Sequence, residues 1–284
     1  MRTIAVLILN SAVLLDLGTL RAQDLATRTM PPDFSGVYAR VNRTPVRQGQ
    51  AATPPVAGQQ QGQVQQLAPP RRSNADGTGG RAPDAPPLTP EYMSKWQAVS
   101  KSRMSGSYEH DYTAHCLPPG MPGMMSMPYG MEVVQSKDKI IFFSEMNDAL
   151  RRVYLDGRKP SQKVLEDPTF AGYSTGHWEG DTLVIDTVAI LHTKSFIEGS
   201  GEGFSPHSDA MTVRERIRFI EPTLLEDRIT VTDPKALTKP WETVKTYRKL
   251  LPGSGRDEVR ESACPEGLSE VQGIGKIKSL DDVK

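Results

Sequence analysis

From Met131 onward, apolar and polar residues fall into short runs separated by turn residues, the spacing of β-strands. Glu132-Val133-Val134-Gln135 and Ile140-Ile141-Phe142-Phe143 flank Ser136-Lys137-Asp138 and read as a hairpin. Arg152-Val153-Tyr154-Leu155 runs into Asp156-Gly157, a strong turn signal. His177-Trp178-Glu179 and the β-branched run Thr182 to Val188 flank Gly180-Asp181. Met211 to Ile220, Leu225 to Thr232 and Trp241 to Leu250 complete an array of about eight strands. Further upstream, Asp33-Phe34-Ser35-Gly36-Val37-Tyr38 reads as a turn entering a short strand. Short strands without intervening helices predict a mainly β fold, an antiparallel lipocalin-like barrel. One helix precedes the array. Thr89 is placed to cap it, Pro90 to open it and Glu91 to face its positive end. Tyr92, Trp96 and Val99 share one face of this helix, which is expected outside the barrel.

Two stretches break the pattern. Arg2, the apolar runs Ile4 to Leu9 and Ala12 to Leu15, and the small residue Ala22 make a secretory signal, with Gln23-Asp24 opening the mature chain. A periplasmic or secreted protein follows. Asp16 and Arg21 interrupt the apolar run, and no other stretch approaches about 18 apolar residues, so no integral membrane segment is expected after processing. Between residues 43 and 87, Gln59-Gln60-Gln61, Pro54-Pro55, Pro69-Pro70 and Gly79-Gly80 leave little apolar surface to offset chain entropy, the mark of a disordered linker. The predicted organisation is a signal peptide (1–22), a mature N-terminus with the first strand (23–42), the linker (43–87), a barrel domain (88–275) and a flexible tail (276–284). The linker, which holds 6 of the 24 Gly and 8 of the 23 Pro, lowers the overall hydrophobic content, which is only 37%. The barrel domain alone spans about 190 residues, the size of one domain.

Composition then removes several functions. The 34 basic and 34 acidic residues cancel, whereas a general nucleic-acid binder needs a basic surface. The two cysteines, Cys116 and Cys264, are too few for a four-ligand zinc site or a disulfide scaffold. In an exported chain they suit one disulfide, which would close a loop of roughly 150 residues and stabilise the fold by about 5 kcal/mol. A reactive thiol and a metal ligand are the other roles open to them. No G-x-S-x-G, H-E-x-x-H, P-loop or strand-linked G-x-G-x-x-G occurs. Gly199-Ser200-Gly201-Glu202-Gly203 lacks the strand and helix that phosphate binding requires.

Strand parity supplies the sharpest candidate. Val213, Ile217 and Phe219 share a face with Glu215, while Arg214, Arg216 and Arg218 take the other. An acid on an apolar inner face is either a member of a buried ion pair or a general acid/base. His207 lies in the loop entering that strand, at the barrel mouth, where an imidazole can exchange protons. With Tyr173, these are the candidate catalytic groups. Glu145, Arg152, Tyr154, Trp178, Asp186 and His192 are expected to converge on the same interior and bind substrate. Taken singly, each is also an ordinary cap, surface charge or ion-pair member. His110, His115, Met121 and Met124 begin a loop with five methionines (Met121, Met124, Met125, Met127, Met131), a soft donor set suited to copper. The same methionines suit an irregular loop plugging a barrel.

Several motifs resemble a largely uncharacterised family of exported bacterial proteins. They are Asp33-Phe34-Ser35-Gly36-Val37-Tyr38, Cys116-Leu117-Pro118-Pro119-Gly120-Met121-Pro122, Arg151-Arg152-Val153-Tyr154-Leu155-Asp156-Gly157-Arg158, Trp178-Glu179-Gly180-Asp181-Thr182-Leu183-Val184-Ile185-Asp186-Thr187 and Pro206-His207-Ser208. The resemblance implies export and one domain, without an agreed activity. The family pattern has His where this chain has Tyr173 and Arg where it has His177, so chemistry carried by that His would be altered here.

The resulting expectation is a barrel that holds a small apolar or aromatic molecule in its interior, without a cofactor or nucleic acid. Glu215, His207 and Tyr173 would perform acid/base work of an isomerase, cyclase or lyase type. One alternative is a non-catalytic carrier. Another is a periplasmic copper-binding protein using the His/Met loop. Nothing in the sequence sets an oligomeric state.

Overall fold

Nine strands close into one ring in sequence order: β1 (Gly36–Arg40), β2 (Met131–Gln135), β3 (Lys139–Ser144), β4 (Ala149–Tyr154), β5 (Tyr173–Glu179), β6 (Thr182–Val188), β7 (Thr212–Glu221), β8 (Leu224–Thr232) and β9 (Trp241–Lys249). The computed structural model describes residues 30–41, 84–198, 204–262 and 278–283. The expected signal peptide, most of the linker, the 199–203 loop and Cys264 lie outside these residues. The unit that carries the barrel begins at Asp33.

Every hydrogen-bonded pair of neighbours is antiparallel except β4 and β5. Closure requires such an exception. Direction cannot reverse at each of nine junctions and still agree when the ring meets itself, so one junction must be parallel. A parallel pair forces the chain to travel back to its starting end. Residues 155–172 make that return and carry a short helix, α2 (Gln162–Glu166), capped by the Ser161 hydroxyl. The seam so formed is short: Val153 pairs with Ser174, and Tyr154 with Thr175. Residues 149–152 of β4 extend past it, without a β5 residue paired beside them.

The mainly β barrel expected from the sequence is therefore present, with the helix α1 (Pro90–Met104) outside it. Leu88 bridges to Leu237, and the Thr89 amide donates to the Ala236 carbonyl, which ties the start of α1 to the β8–β9 loop. Tyr92, Trp96 and Val99 are its buried face, as the spacing predicts.

Inside the ring, Ile140, Phe142, Val153, Leu183, Ile185, Ile217 and Ile229 are at most 2% exposed. Burial of each contributes roughly 1.5–3 kcal/mol. One end is closed by the tight β2–β3, β5–β6 and β7–β8 hairpins, with Phe34 packed on Trp178 and Phe219, each ring centroid 5.2 Å away. At the other end, the methionine loop fills the mouth. Met121, Met124, Met125 and Met131 belong to the main core. The Tyr247 hydroxyl donates to the Met125 carbonyl (2.6 Å), and the Arg40 guanidinium donates to that of Ser126. Residues 278–283, read from sequence as flexible tail, instead hold a 3₁₀ turn whose Leu280 packs with Val99, Tyr112, Phe196 and Phe204.

Candidate functional site

Three polar groupings stand out, and strand parity distributes them. The first lies within the barrel. Arg151 of β4 points inward between Ala149 and Val153 and is fully buried. Its Nε donates to Ser174 Oγ (3.1 Å), Nη1 to Glu215 Oε1 (2.9 Å), and Nη2 to Thr187 Oγ1 (2.9 Å) and Glu215 Oε2. The fork geometry of guanidinium against carboxylate makes this a two-point pair. Glu215 is fully buried on the inner face of β7, as parity predicts, and its role is that of the buried ion-pair member. Asp227 of β8 is also fully buried, and neither carboxyl oxygen has a hydrogen-bond partner among the described residues. Burial, then the negative charge of Glu215, push its pKa well above the carboxylate range, opposed by Arg151 and Lys245. Lys245 of β9 is held by Glu198 (3.1 Å).

The second grouping sits at the loop end. His207 is buried, its Nε2 lies 2.9 Å from Ser195 Oγ, and its Nδ1 lies 3.0 Å from the Ser208 carbonyl. Ser208 is fixed in turn by Asp233, which accepts from its amide (2.7 Å) and its hydroxyl (2.6 Å). Burial pulls the His207 pKa down to about 4, so the imidazole is neutral at physiological pH.

The third is a cleft of about 580 Å³ on the outer wall, over the β4–β5 seam. It exists because β4 runs past its pairing with β5, and the returning 155–172 segment and the 118–124 loop roof the gap. The Tyr154 and Tyr173 rings stack obliquely in it, with centroids 5.2 Å apart at 32°. Arg158, pinned by Asp156, lies 4.2 Å from the Tyr154 ring centroid. Arg152 and Lys163 also line the cleft, and neither has an ion-pair partner among the described residues. Its inner edge is tight. Gly172 adopts φ +65, and a Cβ there would stand 2.7 Å from the Val188 carbonyl oxygen. Ala189, also lining the cleft, is held at φ 53, a left-handed conformation costly for a residue with a Cβ.

The three expected catalytic groups do not share one space. Glu215 points into the barrel, His207 is buried in the mouth loop, and Tyr173 faces outward into the cleft. Arg152 and Tyr154 share a strand face as expected, but it is the outer one. The apolar register of β4 turns Ala149 and Val153 inward and carries Arg151 with them. Asp186 also faces out, bound by Arg214 (2.7 and 3.0 Å), because Ile185 and Thr187 take the inner positions. Glu145 accepts the Gly130 and Arg260 amides at the β3–β4 turn. Trp178 packs on Phe34 in the closed end, and His192 stands 3.7 Å from Asp281. Of the expected site, the cleft thus gathers Arg152, Tyr154 and Tyr173.

His115 Nε2 lies 2.9 Å from the Tyr108 carbonyl, and His110 is buried beside Glu109. Met121 and Met124 are in the core. Among the described residues no group of three His, Cys, Asp or Glu side chains is placed to hold a metal ion. Cys116 is not a free thiol. Sequence reasoning missed Arg151, Asp227 and Ser195. Arg151 was legible in principle, since it alternates with Ala149 and Val153.

No family model and no curated protein matches the chain. Among solved structures, the fluorescent protein UnaG is similar at 14% identity and a TM-score of 0.27, over 50% of this chain and 89% of that one. A single-residue variant of UnaG gives 14% and 0.28, over 50% and 88%. Both overlaps take in half of the chain, and neither bears on what this barrel binds.

Proposed function

We propose that this barrel binds a small aromatic molecule carrying an acidic group, and that it does so in the cleft over the β4–β5 seam. The observation that carries the reading is the juxtaposition in one 580 Å³ space of the stacked Tyr154–Tyr173 pair with the cations Arg152 and Lys163, which have no ion-pair partner among the described residues. That volume suits a small ligand. Aromatic faces accept a ring, and a free guanidinium accepts a carboxylate in two-point fashion. The barrel interior, where the sequence suggested the ligand, is filled by core side chains and closed by methionines.

The test is calorimetric titration of the full chain with 2-naphthoate and with uncharged 2-naphthol. Wild type is expected to bind naphthoate saturably and more tightly than naphthol. Arg152→Ala should weaken naphthoate about tenfold, the value of roughly 1.4 kcal/mol, and leave naphthol unchanged. Absence of saturable binding to either compound would overturn the reading.

We further propose that the chain is exported and that Cys116 pairs with Cys264. The signal pattern and the absence of a free thiol at Cys116 support both.

A further inference from the structure

The mouth-loop grouping has the parts of a nucleophile and its base. The Ser208 carbonyl can only accept a hydrogen bond, so His207 Nδ1, 3.0 Å away, must carry the imidazole proton. Nε2 is then the free lone pair, and it faces Ser195 Oγ at 2.9 Å. Nε2 is thus one acceptor within reach of the hydroxyl proton. The hydroxyl oxygen also lies 2.5 Å from the Leu191 carbonyl, so two acceptors compete for one proton. Asp233 holds Ser208 by two short hydrogen bonds and thereby fixes the carbonyl that orients the ring. Asp233 and His192 are the charged or titratable groups whose fields reach His207.

This pair adjoins the cleft. Gly120 and Phe170 both line the cleft. A Cβ on Gly120 would stand 2.5 Å from Ser195 Cβ, 3.1 Å from Ser195 Oγ and 3.4 Å from the Phe170 carbonyl oxygen. One glycine thus separates the hydroxyl from the ligand space. Ser195 is 1% exposed. A substrate therefore reaches it only when the Gly120 and Phe170 segments part, and the hydrogen bond from the Met121 amide to the Phe170 carbonyl (2.9 Å) is what holds them together.

We propose that Ser195 is a nucleophile, with His207 as its base, acting on aromatic esters bound in the cleft; this rests on the cleft being a ligand site. In the first step the Oγ proton passes to Nε2, and Oγ bonds to the ester carbonyl carbon. The bond from that carbon to the leaving oxygen breaks, and the alcohol departs with the proton from Nε2. Water then gives a proton to Nε2 and attacks the acyl-serine, releasing the acid and restoring the Ser195 hydroxyl. The balance is ester plus water to acid plus alcohol, with no redox change. Asp233 acts as a positioning residue through Ser208.

The experiment treats the full-length protein with a fluorophosphonate probe, maps the adduct by mass spectrometry, and follows 2-naphthyl acetate hydrolysis in parallel. One adduct on Ser195 is expected, absent in Ser195→Ala. His207→Gln should slow labelling at least about 100-fold, with circular dichroism unchanged. Gly120→Ala, which places a methyl against Ser195, is expected to suppress labelling as well. No adduct on Ser195 in the folded protein, or undiminished naphthyl acetate turnover by Ser195→Ala, would overturn the proposal. Labelling of Ser195 with a naphthyl acetate KM unmoved by Tyr173→Ala would uphold the nucleophile and overturn the cleft as its substrate site.

Discussion

Arg151 and Arg152 are consecutive residues of one strand with opposite environments. Arg151 enters the barrel, is fully buried and makes four hydrogen bonds to Ser174, Thr187 and Glu215. Arg152 leaves through the outer wall into the cleft, where no described residue pairs with it. The pleat alone separates them. The difference shows where this fold places structural charge and where it leaves charge available. Inside the ring, Arg151 and Glu215 are matched against each other. At the seam, Arg152 and Lys163 have no ion-pair partner among the described residues.

The largest break in that symmetry is removal of the inner guanidinium. Arg151→Ala takes away the guanidinium that holds Glu215 beside Asp227, and loss of one partner of a buried pair costs about 3–5 kcal/mol. Urea denaturation should show that loss, whereas Arg152→Ala should stay within about 0.5 kcal/mol of wild type. Similar effects for the two would mean that the inner pair is solvated.

His207 sets the next effect, in the acid range. Its folded pKa of about 4 lies below the ordinary 6.5, so the unfolded chain takes up the proton first as pH falls. Stability is therefore complete above pH 6.5 and is lost on descending through pH 4, by about 3 kcal/mol in all. His207→Gln should flatten the stability profile across that window. A wild-type profile already flat there would show the imidazole to be solvated.

Asp227 tilts the other way. Its pKa is raised, so the folded protein holds a proton that the unfolded chain releases above about pH 4. Its contribution is complete below that pH and declines as pH rises toward the folded value. Asp227→Asn removes the decline, and should gain about 1–3 kcal/mol at neutral pH with no gain at pH 4. A variant less stable than wild type at pH 7 would mean that the carboxylate has a cation as partner.

Much of this was legible in the strand pattern. The hairpins around Ser136-Lys137-Asp138 and Gly180-Asp181, the α1 face and the inward turn of Glu215 all follow from local period and turn chemistry. The seam was not. Nothing local in Arg152-Val153-Tyr154 tells that the next strand runs parallel, since that follows from closing an odd ring. The cleft, being a consequence of the seam, was hidden with it. Asp227 was hidden for another reason: Leu224, Leu225 and Glu226 are buried beside it, so no clean alternation marks its face. The Ser195–His207 contact joins two arms of one long loop, where neither period nor parity applies.

The smallest effect compares two ion pairs one residue apart on the same strands. Ile185 pairs with Glu215 and Asp186 with Arg214, so the register that turns Glu215 toward Arg151 turns Arg214 and Asp186 outward together. The Asp186–Arg214 pair has good geometry at 2.7 and 3.0 Å, yet its side chains are 44% and 62% exposed. Water screens it, and such pairs contribute about 0.2–1 kcal/mol. A double-mutant cycle on Asp186→Ala and Arg214→Ala should return a coupling in that range, shrinking toward zero at about 1 M salt, where the Debye length falls to about 3 Å. The corresponding coupling between Arg151 and Glu215 should be several-fold larger and insensitive to salt, because no ions enter the core. A salt-sensitive inner coupling would place solvent inside the ring, and the contrast between the two faces of the wall would fail at its origin.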